Sequence, residues 1–314
     1  MHDQANHLRR LARRCASEKV SRAAERPRLI VLAAGKGGVG TTTVAVNLAV
    51  AMASRRLRTV LVDADPCGGD AAVLCGLEQR YTLAEMLASR RTVREVLQSG
   101  PGAIQVVSGG WGLENLPDGP AVAGRRLFRE LESLGGFADL LLLDGGKGPN
   151  PVLRQLWQAA DLRLVLATPE TSSILNSYAL IKLLAEDSPA VPVHLLVNLA
   201  PTMDVAEEVG RRLAEACRRL LGLQLTSAGY LPADPHVAGA AAVGQPFAIA
   251  APRCGAARHL GRLADALAAL LAGREGDRAC LPARSAHPPG KPAAPVADAK
   301  TPEIAKSQQS GRND

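Results

Sequence analysis

The stretch from Arg28 to Asp65 limits what this chain can fold into more than any other. RLIVLAA is an apolar run of strand length that ends in the glycine-rich GKGGVG, and TTTVAVNLAVAMA then has helical length before a second apolar run, TVLVDAD. An apolar run, a helix-length segment and another apolar run form a βαβ unit, with the two strands parallel. A glycine-rich turn between a buried strand and a helix lets backbone N–H groups approach phosphate oxygens closely, and the helix N-terminus adds its positive dipole. The usual phosphate-loop pattern is G-x-x-x-x-G-K-[ST]; Gly35, Gly40 and Thr42 satisfy it, while Thr41 stands where the lysine belongs.

The same alternation continues. Apolar runs at AIQVVS (103–108), LLLLD (140–144), LRLVLAT (162–168), VHLLVN (193–198) and QLTSAGYL (224–231) are separated by helix-like segments at 121–134, 171–186 and 203–221. Strands alternating with helices predict an α/β fold: a doubly wound, mostly parallel sheet flanked by helices, with its ligand at the carboxyl ends of the strands. Residues 29–273 form the expected domain. Residues 1–28 read as a basic, Arg-rich helical arm whose apolar face is too narrow to fold alone, and residues 274–314, with six prolines, read as a disordered Pro/Ala-rich tail. The Ala/Leu-rich segment 256–272, with Leu260, Leu263, Leu267, Leu270 and Leu271, is expected to cover the sheet.

Charge and cysteine usage narrow the function. The net charge of +7 comes from the two ends, whereas residues 29–273 carry 22 basic and 22 acidic side chains. A balanced body does not indicate a broad DNA-binding face. The six cysteines, at 15, 67, 75, 217, 254 and 280, include no C-x-x-C pair and read as incidental thiols in a reducing compartment. No leader-like apolar run follows the basic start, and no charge-free stretch reaches the roughly 18 apolar residues of a membrane span. A cytoplasmic chain is expected.

Ala34 to Thr43, with Lys36 early in the loop, resembles the deviant Walker A loop of the MinD/ParA family of P-loop ATPases, whose pattern is K-G-G-x-G-K-T. The resemblance covers about residues 28–272. It implies ATP and Mg2+ as cofactors, held by Gly35, Lys36, Gly37, Gly38, Val39, Gly40, Thr41, Thr42 and Thr43, and an ATP-dependent homodimer in which Lys36 reaches the partner's phosphates. It further implies Asp65, with Asp63 beside it, as the group that orients the attacking water. Thr42 would be the direct Mg2+ ligand, and Asp144 would stand in the ion's outer shell. Asn198 and the Gly229–Asp234 segment, with Pro232 and Asp234, resemble the family's base-binding end. Thr168-Pro169-Glu170 resembles the next strand-to-helix corner, to which no chemistry is assigned. Loss of the lysine at 41 is expected to weaken binding or hydrolysis, and Lys147, in the DGGKG loop after Asp144, is a candidate to replace its charge.

Within that family the arm is similar to the D-Q-A-x-x-L-R element at the start of FlhG proteins (YlxH, FleN), regulators of flagellar number. The resemblance implies that Asp3, Gln4, Leu8 and Arg9 contact the GTPase FlhF, with Gln4 at the partner's active site. Membrane contact is expected to be weak or indirect, at most peripheral at the inner face, because residues 274–314 present no amphipathic face. Two other readings stand beside it: a non-hydrolysing, nucleotide-stabilised adaptor of the CpaE/TadZ kind, and a ParA-type segregation ATPase that binds DNA as a dimer.

Overall fold

In the computed structural model the strands are β1 Arg28–Ala34, β2 Thr59–Asp63, β3 Gln98–Ser99, β4 Gln105–Val107, β5 Leu140–Lys147, β6 Leu162–Ala167, β7 Val193–Ala200 and β8 Leu225–Pro232. They form one sheet of order β3-β4-β2-β5-β1-β6-β7-β8, parallel throughout except for the β3–β4 pair. The structure describes residues 26–66, 69–78, 80–89, 91–110, 119–185 and 192–273. The arm expected over 1–28, save its last three residues, and the tail expected over 274–314 lie outside them.

The longer helices are α1 Thr41–Ala53, α2 Gly119–Glu132, α3 Pro151–Ala159, α4 Thr171–Ala185, α5 Met203–Leu221, α6 Pro235–Ala242 and α7 Gly255–Gly273. The central strands are buried on both faces because the helices fall into two layers. One face of the sheet, with Leu29, Val31, Val62, Leu143 and Val165, packs under α2, α3, α4 and α5. The other, with Ile30, Leu32, Leu61, Leu142 and Leu164, packs under α1 and α7. Alternate residues of one strand therefore serve opposite cores, which is why these runs are apolar without a polar stripe. Leu260, Leu263, Leu267 and Leu271 of α7 are buried on the sheet, while Leu270 faces outward. Among the described residues no helix is long and apolar enough to cross a membrane.

Helix ends follow local chemistry. Asn150 caps α3 by accepting from the Leu153 amide, with Pro151 at the first helical position, and the Thr202 side chain accepts from the Val205 amide to cap α5. Gly222, at φ 66°, closes α5 in the left-handed conformation. The two strands either side of the centre, β5 and β6, both pair with β1, and the chain reverses its winding there. That reversal opens a crevice at the carboxyl end of β1, where the glycine loop begins.

Candidate nucleotide-binding site

The loop from Gly35 to Gly40 is shaped by its backbone angles. Gly38 (φ 78°) and Gly40 (φ 87°) both take the left-handed conformation, Gly40 as the residue immediately before α1. Left-handed residues in a loop turn successive N–H groups toward one concavity, and only glycine does this without strain. A side chain at Gly35 would collide with the backbone of Asn176 and Ser177, so the loop is wedged against α4. From the far side the Asn198 amide, at the end of β7, donates to the Val39 carbonyl at 2.7 Å. A Cβ at Gly40 would press on that amide. Thr41, in the usual lysine position, is the first residue of α1 and is 8% exposed.

The carboxylates separate into three environments. Asp63 and Asp144 face each other in register across β2 and β5, and both are completely buried. Asp63 accepts from the Asp65 amide (3.2 Å) and the Ala71 amide (3.1 Å), and Gly69 and Gly109 close over it. Burial, reinforced by the Asp144 charge, pushes its pKa from 3.8 up to about 8. Burial favours its neutral form, and Asp63, closed off from solvent, braces the loop after β2 through the two amides it accepts. Asp65, the other half of the expected water-orienting pair, is partly exposed and packs against Gly146. Burial also raises Asp144, opposed by the neighbouring Thr42 hydroxyl and by the Gly146 amide at 3.0 Å. Its Oδ2 is buried without a hydrogen bond among the described residues. A buried carboxylate oxygen left open beside a threonine hydroxyl suits a magnesium ion bound through water.

The Asp63 environment has a measurable consequence. The unfolded chain releases this proton near 3.8 and the folded protein holds it to about 8, so the stability carried by neutral Asp63 is full at low pH and lost as pH climbs between those values. Asp63→Asn is expected to flatten the fall of the urea midpoint of the nucleotide-free protein with rising pH across that window. An unchanged profile would assign the slope to another group.

The lysines are placed differently from one another. The Lys36 ammonium leaves the loop and pairs with Glu170 and with the Ser172 hydroxyl (3.1 Å), at the start of α4. The Glu170 side chain is 64% exposed and its pKa is lowered by the Lys36 hydrogen bond. A pair this exposed is weakly held. Glu170 and Ser172 received no role from the sequence, since they lie 134 and 136 residues beyond Lys36. Only their spacing after the Thr168-Pro169 corner hinted at them.

At the other end of the crevice the expected base-binding residues act as braces. Asp234 accepts from the His236 amide (3.0 Å), the His236 ring (2.8 Å) and the Ala256 amide (3.1 Å), which caps α6 and ties it to α7. The hydrogen bonds, the one from Ala256 foremost, hold its pKa well below the usual carboxylate range. Pro232 ends β8 opposite Ala200 of β7. Between them Leu199, next to Asn198, is held at φ 58° and is 44% exposed, an apolar surface at the rim that sequence reading missed. Asp3, Gln4, Leu8 and Arg9 lie outside the described residues. Cys75 and Cys217 are buried thiols, and burial pushes them up to about 12 and about 11, so neither is a ready nucleophile.

A parallel sheet that switches winding at β1, with a left-handed glycine loop there leading into α1, defines a P-loop nucleotide-binding fold. A ParA family model, described as NUBPL iron-transfer P-loop NTPase, matches residues 26–116. Antiactivator FleN of Pseudomonas aeruginosa is 32% identical over 209 residues, 67% of this chain and 75% of FleN. The ATP-binding protein MJ0547 of Methanocaldococcus jannaschii is 30% identical over 242 residues, 76% of this chain and 86% of that protein. The septum site-determining protein MinD of Pyrococcus horikoshii, solved with Mg-ADP, superposes with a TM-score of 0.64 at 19% identity, over 78% of this chain and 97% of MinD. The chain belongs to the MinD/ParA family of P-loop NTPases.

Proposed function

We propose that this protein is an ATP-dependent regulatory switch of the FleN/FlhG kind, which binds ATP with Mg2+ and joins a second copy of itself when ATP is bound. The observation that carries this reading is the Asp144 Oδ2, buried beside Thr42 without a hydrogen bond among the described residues, at the foot of the glycine loop. The chain's own residues would divide the work. Loop amides from Gly35 to Gly40 cradle phosphate oxygens, Thr42 and Asp144 hold the ion, and Asp65 orients water from the partly exposed end of β2. Mg2+ would supply charge neutralisation at the phosphates. Lys36 would exchange its exposed contact with Glu170 for the phosphates of the second copy. Similarity to the antiactivator FleN, together with the D-Q-A-x-x-L-R element, supports a flagellar role, with Asp3, Gln4, Leu8 and Arg9 engaging the GTPase FlhF.

The test pairs ATP turnover with molecular size. The wild-type chain is expected to form a dimer with ATP and a monomer with ADP. Lys36→Ala is expected to keep ADP binding while losing the dimer, with turnover falling by about 10²-fold, in the range for loss of one transition-state donor. ATP binding with neither turnover nor dimer in the wild type would sink the switch.

One observation favours a second reading. Thr41 removes the cation that P-loops usually present to the β- and γ-phosphates. Tight ATP binding without turnover, but with a stable dimer, would make the protein a nucleotide-stabilised adaptor of the CpaE/TadZ kind.

A further inference from the structure

The loop after β5 places a lysine over the phosphate loop. In Asp144-Gly145-Gly146-Lys147-Gly148, three of the four residues after the aspartate are glycine, and two of them are glycine for steric reasons. A Cβ on Gly145 would lie 2.5 Å from Leu153 Cδ1 and 2.8 Å from the Leu32 carbonyl oxygen, and one on Gly146 would collide with Asp65. Gly146 (φ 64°) and Gly148 (φ 68°) are both left-handed. The backbone is thus squeezed between β1 and the loop after β2, and Lys147 carries the only side chain beyond Asp144 in this turn.

Its anchoring is just as specific. Lys147 pairs in register with Ala34, the last residue of β1, and the Gly148 amide donates to the Ala34 carbonyl at 2.8 Å. The phosphate loop starts at the next residue, Gly35. A Cβ at Gly37 would lie 3.3 Å from Lys147 Cδ and 3.9 Å from its Nζ, so the lysine stem and ammonium lie over Gly37. Among the described residues the ammonium has no hydrogen bond or ion pair, whereas Lys36, in the loop itself, is occupied by Glu170 and Ser172.

We infer that Lys147 is the phosphate-binding cation of this site: the charge missing at Thr41 is supplied from the β5 loop, to the terminal phosphates of a nucleoside triphosphate. Thr41 and Lys147 are then one exchange, a cation moved from the start of α1 to the opposite wall of the crevice. A cation carried on the β5 loop and packed on Gly37 couples the triphosphate to the segment that carries Asp144 and packs against Asp65, so the loop's position reports whether the terminal phosphate is present. This rests on the nucleotide reading above.

The experiment measures equilibrium binding of a fluorescent ATP analogue and its ADP counterpart to the full-length protein, in four forms: wild type, Lys147→Ala, Lys147→Arg and Thr41→Lys/Lys147→Ala. Thermal unfolding without nucleotide serves as the folding control. A charge-assisted contact of this kind corresponds to about 10- to 100-fold in affinity. Lys147→Ala is expected to lose that factor for the ATP analogue and less for ADP, with wild-type melting. Lys147→Arg should retain most of the affinity, and lysine at 41 should restore it in the double variant. If wild type binds and Lys147→Ala binds equally well, the inference is overturned while the nucleotide reading stands. A loss that neither Arg at 147 nor Lys at 41 restores also overturns it, because the residue would then act through loop shape. Failure of the wild type to bind either analogue would overturn the nucleotide reading, and this inference with it.

Discussion

Asp144→Asn is expected to lower single-turnover ATP hydrolysis by about 10- to 100-fold, the usual cost of removing a residue that supports a bound metal from its outer shell. The same substitution is expected to leave the nucleotide-free protein at least as stable as wild type. Both halves follow from one environment. Asp144 is completely buried at the end of β5, burial raises its pKa, and its Oδ2 has no hydrogen bond among the described residues. An ionised carboxylate in that position is a cost to the empty fold. Asparagine keeps the shape and an acceptor for the Gly146 amide while removing the charge that an ion would need. Turnover over a range of Mg2+ concentrations, with urea denaturation of the nucleotide-free protein, reads both effects. A stability loss with unchanged turnover would make Asp144 a structural residue.

Gly35→Ala is the substitution expected to damage the fold most directly. The added methyl would run into the backbone of Asn176 and Ser177, and backbone does not rotate aside as a side chain does. Either α4 lifts from the loop or the loop lifts from β1, and each breaks a packed layer. A destabilisation of about 3 kcal/mol is expected, at the upper end for overpacking. For a domain of this size it corresponds to a melting temperature lower by roughly 6–12 °C. Nucleotide binding is expected to be lost with it, since Asn198 and α4 clamp the loop from two sides. Gly210→Ala, in the middle of α5 with nothing within 4 Å of the new methyl, is the matched control and should be neutral or slightly stabilising. Equal melting temperatures for Gly35→Ala and wild type would show that α4 is not the wall described here.

Much of this molecule is legible in its sequence, and for local reasons. The apolar runs at 28–34, 140–144, 162–167 and 193–198 are strands, and 41–53, 171–185 and 203–221 are helices, because side-chain periodicity, glycine punctuation and capping act over a few residues. The phosphate loop is legible for the same reason: its glycines answer to backbone angles within the loop. The two-residue strand β3 was missed, since Gln98-Ser99 is too short to show alternation and exists only by pairing with β4. Arg163, inside an apolar run, gave no sign that it would be 1% exposed with its Nε donating to the Trp157 carbonyl.

The site divides along the same line. The sequence by itself determined which residues arrive at the carboxyl ends of the strands: Lys36, Thr42, Asp63, Asp65, Asp144, Lys147, Asn198 and Asp234. Only the tertiary structure decided what each of them meets there and how deeply it is buried. Asp63 and Asp65 are two residues apart, yet one is sealed under Gly69 and Gly109 while the other stays partly open. Lys36 meets Glu170, and Asn198 meets Val39, across 134 and 159 residues of chain. Ionisation, accessibility and partner choice depend on burial and on groups brought close by the sheet order, and no pattern confined to one segment contains that information.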